Sequence, residues 1–326
     1  MIHVLLSQPG SYRDVTQHLA ERGARVTVVG PAQDPNRLRG KKAILKAMFS
    51  PELRKAWGVW TRQDRLLVVG WQALPILALI KLHLLPRPER LLVMACFIHG
   101  NRARAIVNRA WRLLRFPGLG FITFSPGEAR NLVDQVGIAP EAVHFHLWRQ
   151  DLDGKAEQQS DKGYIFAGGF SNRDYNLLIE ACRPIATPLV IVASDINDIT
   201  ADLPSHVTVH RNLPEQEFEA LLAGATLVAM PLKSQGEACG QSVLLRVLRN
   251  GKPMVTTRHE AVEAYLGKDY PGFVERDDVT EMRTNLERAL GDRDYRARLE
   301  QAIRRADEAM SRHDAPGAEI ARFLAA

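Results

Sequence analysis

One stretch of the chain combines a carboxylate with a helix start that could bind an anion. Glu237 lies in a polar loop, and Gly240-Gln241-Ser242 opens a helical pattern that ends at Gly251. The first turn of a helix has N–H groups without intrahelical partners and the positive end of the helix dipole, which together suit a phosphate. A nearby carboxylate suits hydroxyl groups, because it accepts their hydrogen bonds. The alternative is an ordinary buried helix between two strands.

A glycine pair precedes a second candidate for anion binding. Gly168 and Gly169 follow a predicted strand over residues 163–167, and Arg173 stands just before the next helical pattern. Glycines let the backbone approach a ligand closely, and an arginine supplies a fixed cation for a diphosphate. In the alternative interpretation, Arg173 pairs with Asp174 or caps the loop.

A histidine stands at the end of a predicted strand in the first half of the chain. The strand covers residues 90–94, and His99 follows in Cys96-Phe97-Ile98-His99-Gly100. Ligands of open α/β sheets bind outside the carboxyl ends of strands, so His99 is a candidate site residue. A satisfied structural histidine is the competing interpretation.

These residues require strands and helices that alternate along the chain. Apolar runs of about five residues alternate with helical periodicity, which predicts an α/β protein with parallel strands. Residues 149–161 are polar and charged, and they form the clearest linker. Strands are predicted near 2–6, 25–29, 65–69, 90–94, 121–125 and 143–147 before the linker, and near 163–167, 189–193, 207–210, 226–229 and 272–275 after it, with helices at 12–22, 126–136 and over most of 278–312.

Composition limits the class of protein. The 326 residues are 46% hydrophobic, enough for two domains with sizeable cores. Three widely spaced cysteines argue against a disulfide framework and favour a reducing cytoplasm. The start of the chain has no basic leader, and the longest apolar run, residues 71–85, is too short and too polar to span a bilayer. We expect a soluble cytoplasmic protein.

Charge is divided unevenly along the chain. Residues 1–150 contain 22 basic and 9 acidic side chains, whereas the remainder contains 21 basic and 28 acidic. No nucleic-acid-binding motif accompanies the basic half, so a membrane surface or an anionic acceptor is favoured over nucleic acid. Residues 37–62 place lysines and arginines among tryptophans and aliphatic residues, which suits an anionic membrane surface or, alternatively, a solvated helical pair.

The sequence resembles a known enzyme family in the stretch described first. Glu237, Gly240-Gln241-Ser242 and Gly251-Lys252-Pro253 resemble the donor-site signature of retaining glycosyltransferases of family four. The resemblance implies the GT-B fold, with two Rossmann-like domains that face a central cleft. The expected parts are an acceptor-side domain over 1–148, a linker over 149–161, a nucleotide-sugar domain over 162–310, and a helix over 311–326 that crosses back.

The resemblance also implies a reaction. A hexose would pass from a nucleotide diphosphate sugar to an acceptor hydroxyl with retention, without metal or cofactor, in polysaccharide or glycolipid assembly. Gly168, Gly169, Arg173 and the Gly240-Gln241-Ser242 helix start would bind the diphosphate. Glu237 would orient the sugar, and His99 would contact it from the first domain.

One residue departs from the family pattern. The family carries a second glutamate that holds the nucleotide ribose, and Arg246 stands at that position. A cation cannot accept hydrogen bonds from ribose hydroxyls. This departure favours one alternative, a catalytically silent nucleotide-sugar-binding or scaffold protein. A nucleotide-sugar epimerase of the same fold is a second alternative, although it would need more acid/base carboxylates than the sequence offers. For a transferase, we expect an anionic or lipid-linked acceptor at the inner face of the cytoplasmic membrane.

Overall fold

The computed structural model divides the chain into two compact units. Unit 1 comprises residues 1–148 and 314–326, and unit 2 comprises residues 149–313. Each unit has its own six-stranded sheet. The structure describes residues 1–6, 12–30, 51–70, 72–95, 101–148, 160–233, 239–312 and 316–325, without the side chains of 101–103 and 316, so most of the predicted linker lies outside the described residues.

The sheet of unit 1 is parallel and has the strand order β2-β1-β3-β4-β5-β6. Most of its strands read as apolar runs and are buried over nearly their whole length. Such runs are typical of parallel strands covered on both faces. The strands are β1 (Ile2–Leu6), β2 (Arg25–Val28), β3 (Arg65–Val69), β4 (Arg90–Met94), β5 (Leu119–Thr123) and β6 (Val143–Phe145).

The described helices of unit 1 cover this sheet. Trp60, Ile76, Leu77, Trp111 and Phe121 belong to one buried cluster that forms the main core of the unit. The helices before the linker are α1 (Arg13–Glu21), α2 (Ala73–Lys81), α3 (Asn101–Leu114) and α4 (Pro126–Arg130), with shorter 3₁₀ turns at Pro51–Ala56 and Pro140–Ala142 and a π-helical segment at Asn131–Val136.

Unit 2 repeats this plan with the strand order β12-β11-β10-β7-β8-β9, again parallel. Its strands are β7 (Ile165–Gly168), β8 (Leu189–Ala193), β9 (Val207–Arg211), β10 (Leu227–Met230), β11 (Met254–Thr257) and β12 (Phe273–Val274). Its helices are α5 (Tyr175–Cys182), α6 (Glu215–Ala223), α7 (Gln241–Asn250), α8 (Glu260–Leu266), α9 (Val279–Gly291) and α10 (Arg293–Ser311).

The final helix, α11 (Pro316–Ala325), packs against α1 and reaches β3 and β4 in unit 1. Ile320 and Leu324 are fully buried, and Glu319 forms an ion pair with His146. Arg65 donates hydrogen bonds to the carbonyl oxygens of residues 324 and 325 at 3.1 and 2.8 Å. Apolar burial and polar contacts therefore both attach α11 to unit 1.

Two predicted element boundaries need correction. The strand predicted at 121–125 runs instead from Leu119 to Thr123, because Ser125 caps the next helix by accepting a hydrogen bond from Glu128 N at 3.1 Å. The helix predicted over 126–136 is α-helical only to Arg130 and continues as a π-helical segment to Val136. Among the described helices, none is long and apolar enough to cross a membrane.

Candidate functional site

The candidate site lies at the carboxyl edge of the unit 2 sheet, where β7 and β10 end. The chain leaves β7 towards β8 on one side and later enters β10 on the other side of β7. Open parallel sheets bind ligands at such a switch point. The two glycine-containing stretches identified from the sequence follow these two strands, at 168–173 and 240–242.

Arg173 braces the loop after β7. Its Nε donates to the carbonyl oxygen of Gly168 at 2.9 Å and its Nη1 to that of Ser171 at 2.6 Å, and the residue is only 5% exposed. Asp174 instead caps α5 by accepting a hydrogen bond from Leu177 N at 3.2 Å. A guanidinium has five N–H donors, so these two bonds leave capacity for an anion.

Gly169 is required by this arrangement. Its φ is +109°, and a Cβ at this position would lie 2.6 Å from Nη2 of Arg173. Both the backbone conformation and the space therefore select glycine. Arg173 and Gly169 act together to fix the course of the loop.

Backbone hydrogen bonds join the β7 loop to the segment after β10. Arg173 forms an antiparallel bridge with Leu232. Asp174 N donates to Pro231 O at 3.1 Å, and Lys233 N donates to Asn172 O at 3.2 Å. The two loops consequently form one hydrogen-bonded surface at the switch point.

Helix α7 begins at this surface. Gly240 is its N-cap with φ of +84°, and its carbonyl accepts the first intrahelical bond from Leu244 N at 2.9 Å. The N–H groups of Gln241, Ser242 and Val243 precede that bond and have no intrahelical acceptor. The helix begins where the sequence predicted, and its start carries the partial positive charge of a helix N-terminus.

The buried thiol of Cys239, directly before α7, contacts the buried imidazole of His259, directly before α8. His259 Nδ1 accepts a hydrogen bond from Ala261 N at 3.1 Å, so Nε2 carries the ring hydrogen, and it lies 3.4 Å from the Sγ of Cys239. Asn172 Nδ2 lies 3.1 Å from the same sulfur. Sequence reasoning missed His259, although it follows β11 just as His99 follows β4, and that position is the signal that could have found it.

Arg246 is held by two carboxylates of α6. Its Nε donates to Glu219 and its Nη2 to Glu215, both at 2.6 Å, and its Nη1 donates to Ser242 O at 2.9 Å. Its guanidinium also lies over the ring of Phe218, 5.6 Å from the centroid. The cation that the sequence places at this position therefore brings two carboxylates to the first turns of α7.

The predicted site residues thus fall into three groups: those at the switch point, Arg246, and the two that lie outside the described residues. Arg246 lies farther along α7, beside α6. Glu237 and His99 lie outside the described residues, and their roles stay predictions. Within the described part of the chain, no group of three or more His, Cys, Asp or Glu residues is arranged to hold a metal ion. The residues whose loops meet at the switch point, through the Arg173–Leu232 bridge and the contact of Asn172 with Cys239, are Gly168, Gly169, Arg173, Gly240, Gln241 and Ser242.

Comparison with known proteins gives matches among solved structures. No family model and no curated protein matches the chain. Anabaena HepE in complex with UDP-glucose is 15% identical with a TM-score of 0.71, over 100% of this chain and 99% of that one. A structure described as trehalose-6-phosphate from E. coli, bound with UDP-2-fluoro glucose, is 8% identical with a TM-score of 0.70, over 99% of each chain.

A third match is an α,α-trehalose-phosphate synthase (UDP-forming) from Burkholderia vietnamiensis. It is 12% identical with a TM-score of 0.67, over the full length of both chains. At such low identity, these likenesses show a shared fold. The chain has the GT-B glycosyltransferase fold, and the predicted fold class is confirmed.

Proposed function

We propose that this protein is a glycosyltransferase that moves a hexose from a nucleoside diphosphate sugar to an acceptor hydroxyl. The observation that carries the proposal is the switch-point surface of unit 2, where the start of α7 and the braced glycine loop of β7 meet. HepE and the E. coli protein were solved with UDP-glucose and its 2-fluoro analogue, which supports UDP as the nucleotide.

The main electrostatic requirement of this reaction is the charge that develops on the leaving diphosphate. The N–H groups of residues 241–243 and the remaining donors of Arg173 would stabilise that charge. Glu237 and His99 keep their predicted roles on the sugar. We further propose retention of configuration without a metal, as the family resemblance implies, and a role in polysaccharide or glycolipid assembly.

The carboxylates beside Arg246 supply what the arginine itself lacks. Ribose hydroxyls need acceptors, and Glu219 is 27% exposed on its side chain while one of its oxygens binds Arg246. A carboxylate has about four acceptor sites, so Glu219 can accept from ribose as well. We therefore assign the ribose contact to Glu219, with Arg246 as the residue that positions it.

We extend the proposal to an anionic or lipid-linked acceptor at the inner face of the cytoplasmic membrane. Its support is the charge of residues 1–150 and the composition of residues 37–62. Residues 37–50 lie outside the described part of the chain. In the rest of that segment, Arg54 and Lys55 are exposed, and Trp57 is half-exposed.

The direct test is incubation with radiolabelled UDP-sugars, with and without candidate acceptors. Transfer or hydrolysis supports a transferase, an isomerised sugar supports the epimerase, and binding without turnover supports the silent protein. Glu237→Gln should lower turnover while leaving the affinity for free UDP nearly unchanged. If no nucleotide sugar is bound or turned over, the proposal is wrong.

A further inference from the structure

Unit 1 carries a surface that is both apolar and cationic. Five large apolar side chains there are 50–72% exposed, and exposed lysines and arginines occur in the same three segments of the chain, near residues 54–57, 81–84 and 106–113. Contiguous exposed apolar surface is uncommon on soluble proteins and marks interaction sites. We call this surface the basic apolar patch; it consists of Trp57, Leu82, Leu84, Ile106 and Leu113, with the cations Arg54, Lys55, Lys81 and Arg109.

Helix α3 forms one half of the patch. Ile106, Arg109 and Leu113 are separated by three and four residues, so they lie along one side of the helix, and all three are exposed. Trp111 is buried in the main core of unit 1 and anchors the opposite side. The helix contains no acidic residue. Its outer side therefore combines positive charge with aliphatic surface.

The segment after α2 forms the other half and is attached to both of its neighbours. The guanidinium of Arg87 lies over the ring of Phe116 at 5.0 Å and donates to Pro117 O at 2.9 Å, just beyond the end of α3. Trp60 donates from Nε1 to Pro86 O at 2.8 Å. The exposed residues Leu82 and Leu84 thus lie in a segment held between the end of α3 and the Trp57 region.

We propose that the basic apolar patch binds the surface of an anionic lipid bilayer. Isoleucine, leucine and tryptophan side chains can enter the boundary between headgroups and acyl chains, while arginine and lysine heads remain at the anionic headgroups. Nucleic acid would satisfy the cations but leave the aliphatic side chains in water. Binding to the bilayer would bring the enzyme to the lipid-linked acceptor proposed above. The purpose of the patch therefore rests on that part of the proposed function.

The first test concerns the apolar half of the patch. Vesicles of phosphatidylcholine, with and without phosphatidylglycerol, are sedimented with the full chain at low and high salt. The wild type should bind only the anionic vesicles, and less at high salt. Ile106→Ser with Leu113→Ser should lower the partition coefficient by about tenfold or more, because two apolar side chains no longer leave water. Ile196→Ser with Leu203→Ser, at exposed positions of unit 2, is the matched control and should bind like the wild type.

The second test concerns the cations. Arg109→Gln with Lys81→Gln should weaken binding to the anionic vesicles and reduce its salt dependence. Arg293→Gln with Arg305→Gln removes the same charge from exposed positions on α10 and should change binding much less. Equal losses of vesicle binding in the patch and control pairs would overturn the proposal. So would a wild type that does not bind anionic vesicles at low salt. Binding to single-stranded RNA without binding to vesicles would also overturn it.

The response to UDP separates this proposal from the proposed function. Thermal shift by UDP is measured on every variant, since a ligand that binds only the folded state raises its stability. Loss of vesicle binding with an intact UDP shift in the patch variants supports the assignment. Vesicle binding by a wild type that shows neither a UDP shift nor turnover would overturn the transferase and leave the patch standing.

Discussion

At the scale of single residues, the identity of Gly169 is determined by the arginine that packs over it. We predict that Gly169→Ala destabilises unit 2 by about 1–3 kcal/mol, through backbone strain and the contact with Arg173. Gly163→Ala is the matched control, because Gly163 also has positive φ but nothing lies within 4 Å of its added Cβ. Urea unfolding followed by circular dichroism measures both.

The contact with Arg173 can be isolated further by a double-mutant cycle. In an Arg173→Ala background, Gly169→Ala should cost less than it does in the wild type, because the guanidinium is no longer in the way and only the backbone strain at φ +109° remains. If both glycine variants lose the same stability in the wild-type background, the steric part of this account is wrong.

A second residue-scale prediction concerns the ribose contact. Glu219→Gln should weaken binding of both UDP and uridine by about tenfold, because the ribose is common to both ligands and charged hydrogen bonds are the stronger kind. Glu215→Gln is the control, since Glu215 also binds Arg246 but its side chain is 68% exposed. Isothermal titration should show a smaller loss for the control, and unchanged uridine binding in Glu219→Gln would refute the assignment.

At this scale, the sequence identified residues that a local pattern marks, but it did not predict contacts between residues that are far apart in the chain. Gly168 and Gly169 stand at the end of a strand and Gly240 stands at the start of a helix, so local pattern identified them. The partners of Arg246 were not, because Glu215 and Glu219 lie 31 and 27 residues away on another helix. The contact between Cys239 and His259 likewise depends on the neighbouring ends of two strands.

At the scale of secondary structure, Glu128 makes the stability contributed at the start of α4 depend on pH. Its carboxylate accepts a hydrogen bond from Phe124 N at 3.1 Å beside the cap of α4. Burial raises the pKa of this carboxyl to about 7 from an ordinary value of 4.5, with Phe124 N and Arg104 opposing the rise. The folded state binds the Glu128 proton more tightly than the unfolded state does. The stabilisation that comes from this proton is complete below about pH 4.5 and is lost as pH rises through about 7.

We therefore predict that Glu128→Gln is more stable than the wild type at about pH 8, by about 1–3 kcal/mol, and nearly equal to it at about pH 5. The pKa of His144 is lowered by burial and by Arg90, so its stabilising effect is lost as pH falls. The effect of His144 is the same in the wild type and in Glu128→Gln, so it cancels when the two free energies of unfolding are subtracted. A difference in stability that does not change with pH would contradict the prediction.

Secondary structure itself was largely predictable, for a physical reason. Strands buried on both faces leave apolar runs such as Arg65-Leu-Leu-Val-Val69, which hydrophobic periodicity detects directly. The change from α to π geometry at Asn131 was not predictable, because residues 126–136 carry a continuous helical pattern. Packing of that segment against α3 is a tertiary contact that no local pattern contains.

At the scale of the whole molecule, α11 is a separate piece of chain that completes unit 1. We predict that Ile320→Ala destabilises unit 1 by about 2–4 kcal/mol, because Ile320 is fully buried. Ile106→Ala, at a 72% exposed position of the same unit, should change stability by less than about 0.5 kcal/mol.

Tryptophan fluorescence is suited to this measurement. All five tryptophans lie within residues 1–148, so their emission reports on unit 1. Unit 2 contains none of them and can be followed separately by circular dichroism. If Ile320→Ala leaves the fluorescence transition unchanged, α11 does not contribute to the stability of unit 1.

The attachment of α11 to unit 1 has a consequence for synthesis on the ribosome. Residues 149–313, which form unit 2, are made before residues 316–325, so unit 1 lacks its last helix for as long as unit 2 is being synthesised. At about 5–20 residues per second, that interval lasts on the order of 10–30 seconds. Throughout it, the surfaces of α1, β3 and β4 that α11 later covers remain open to chaperones and to aggregation.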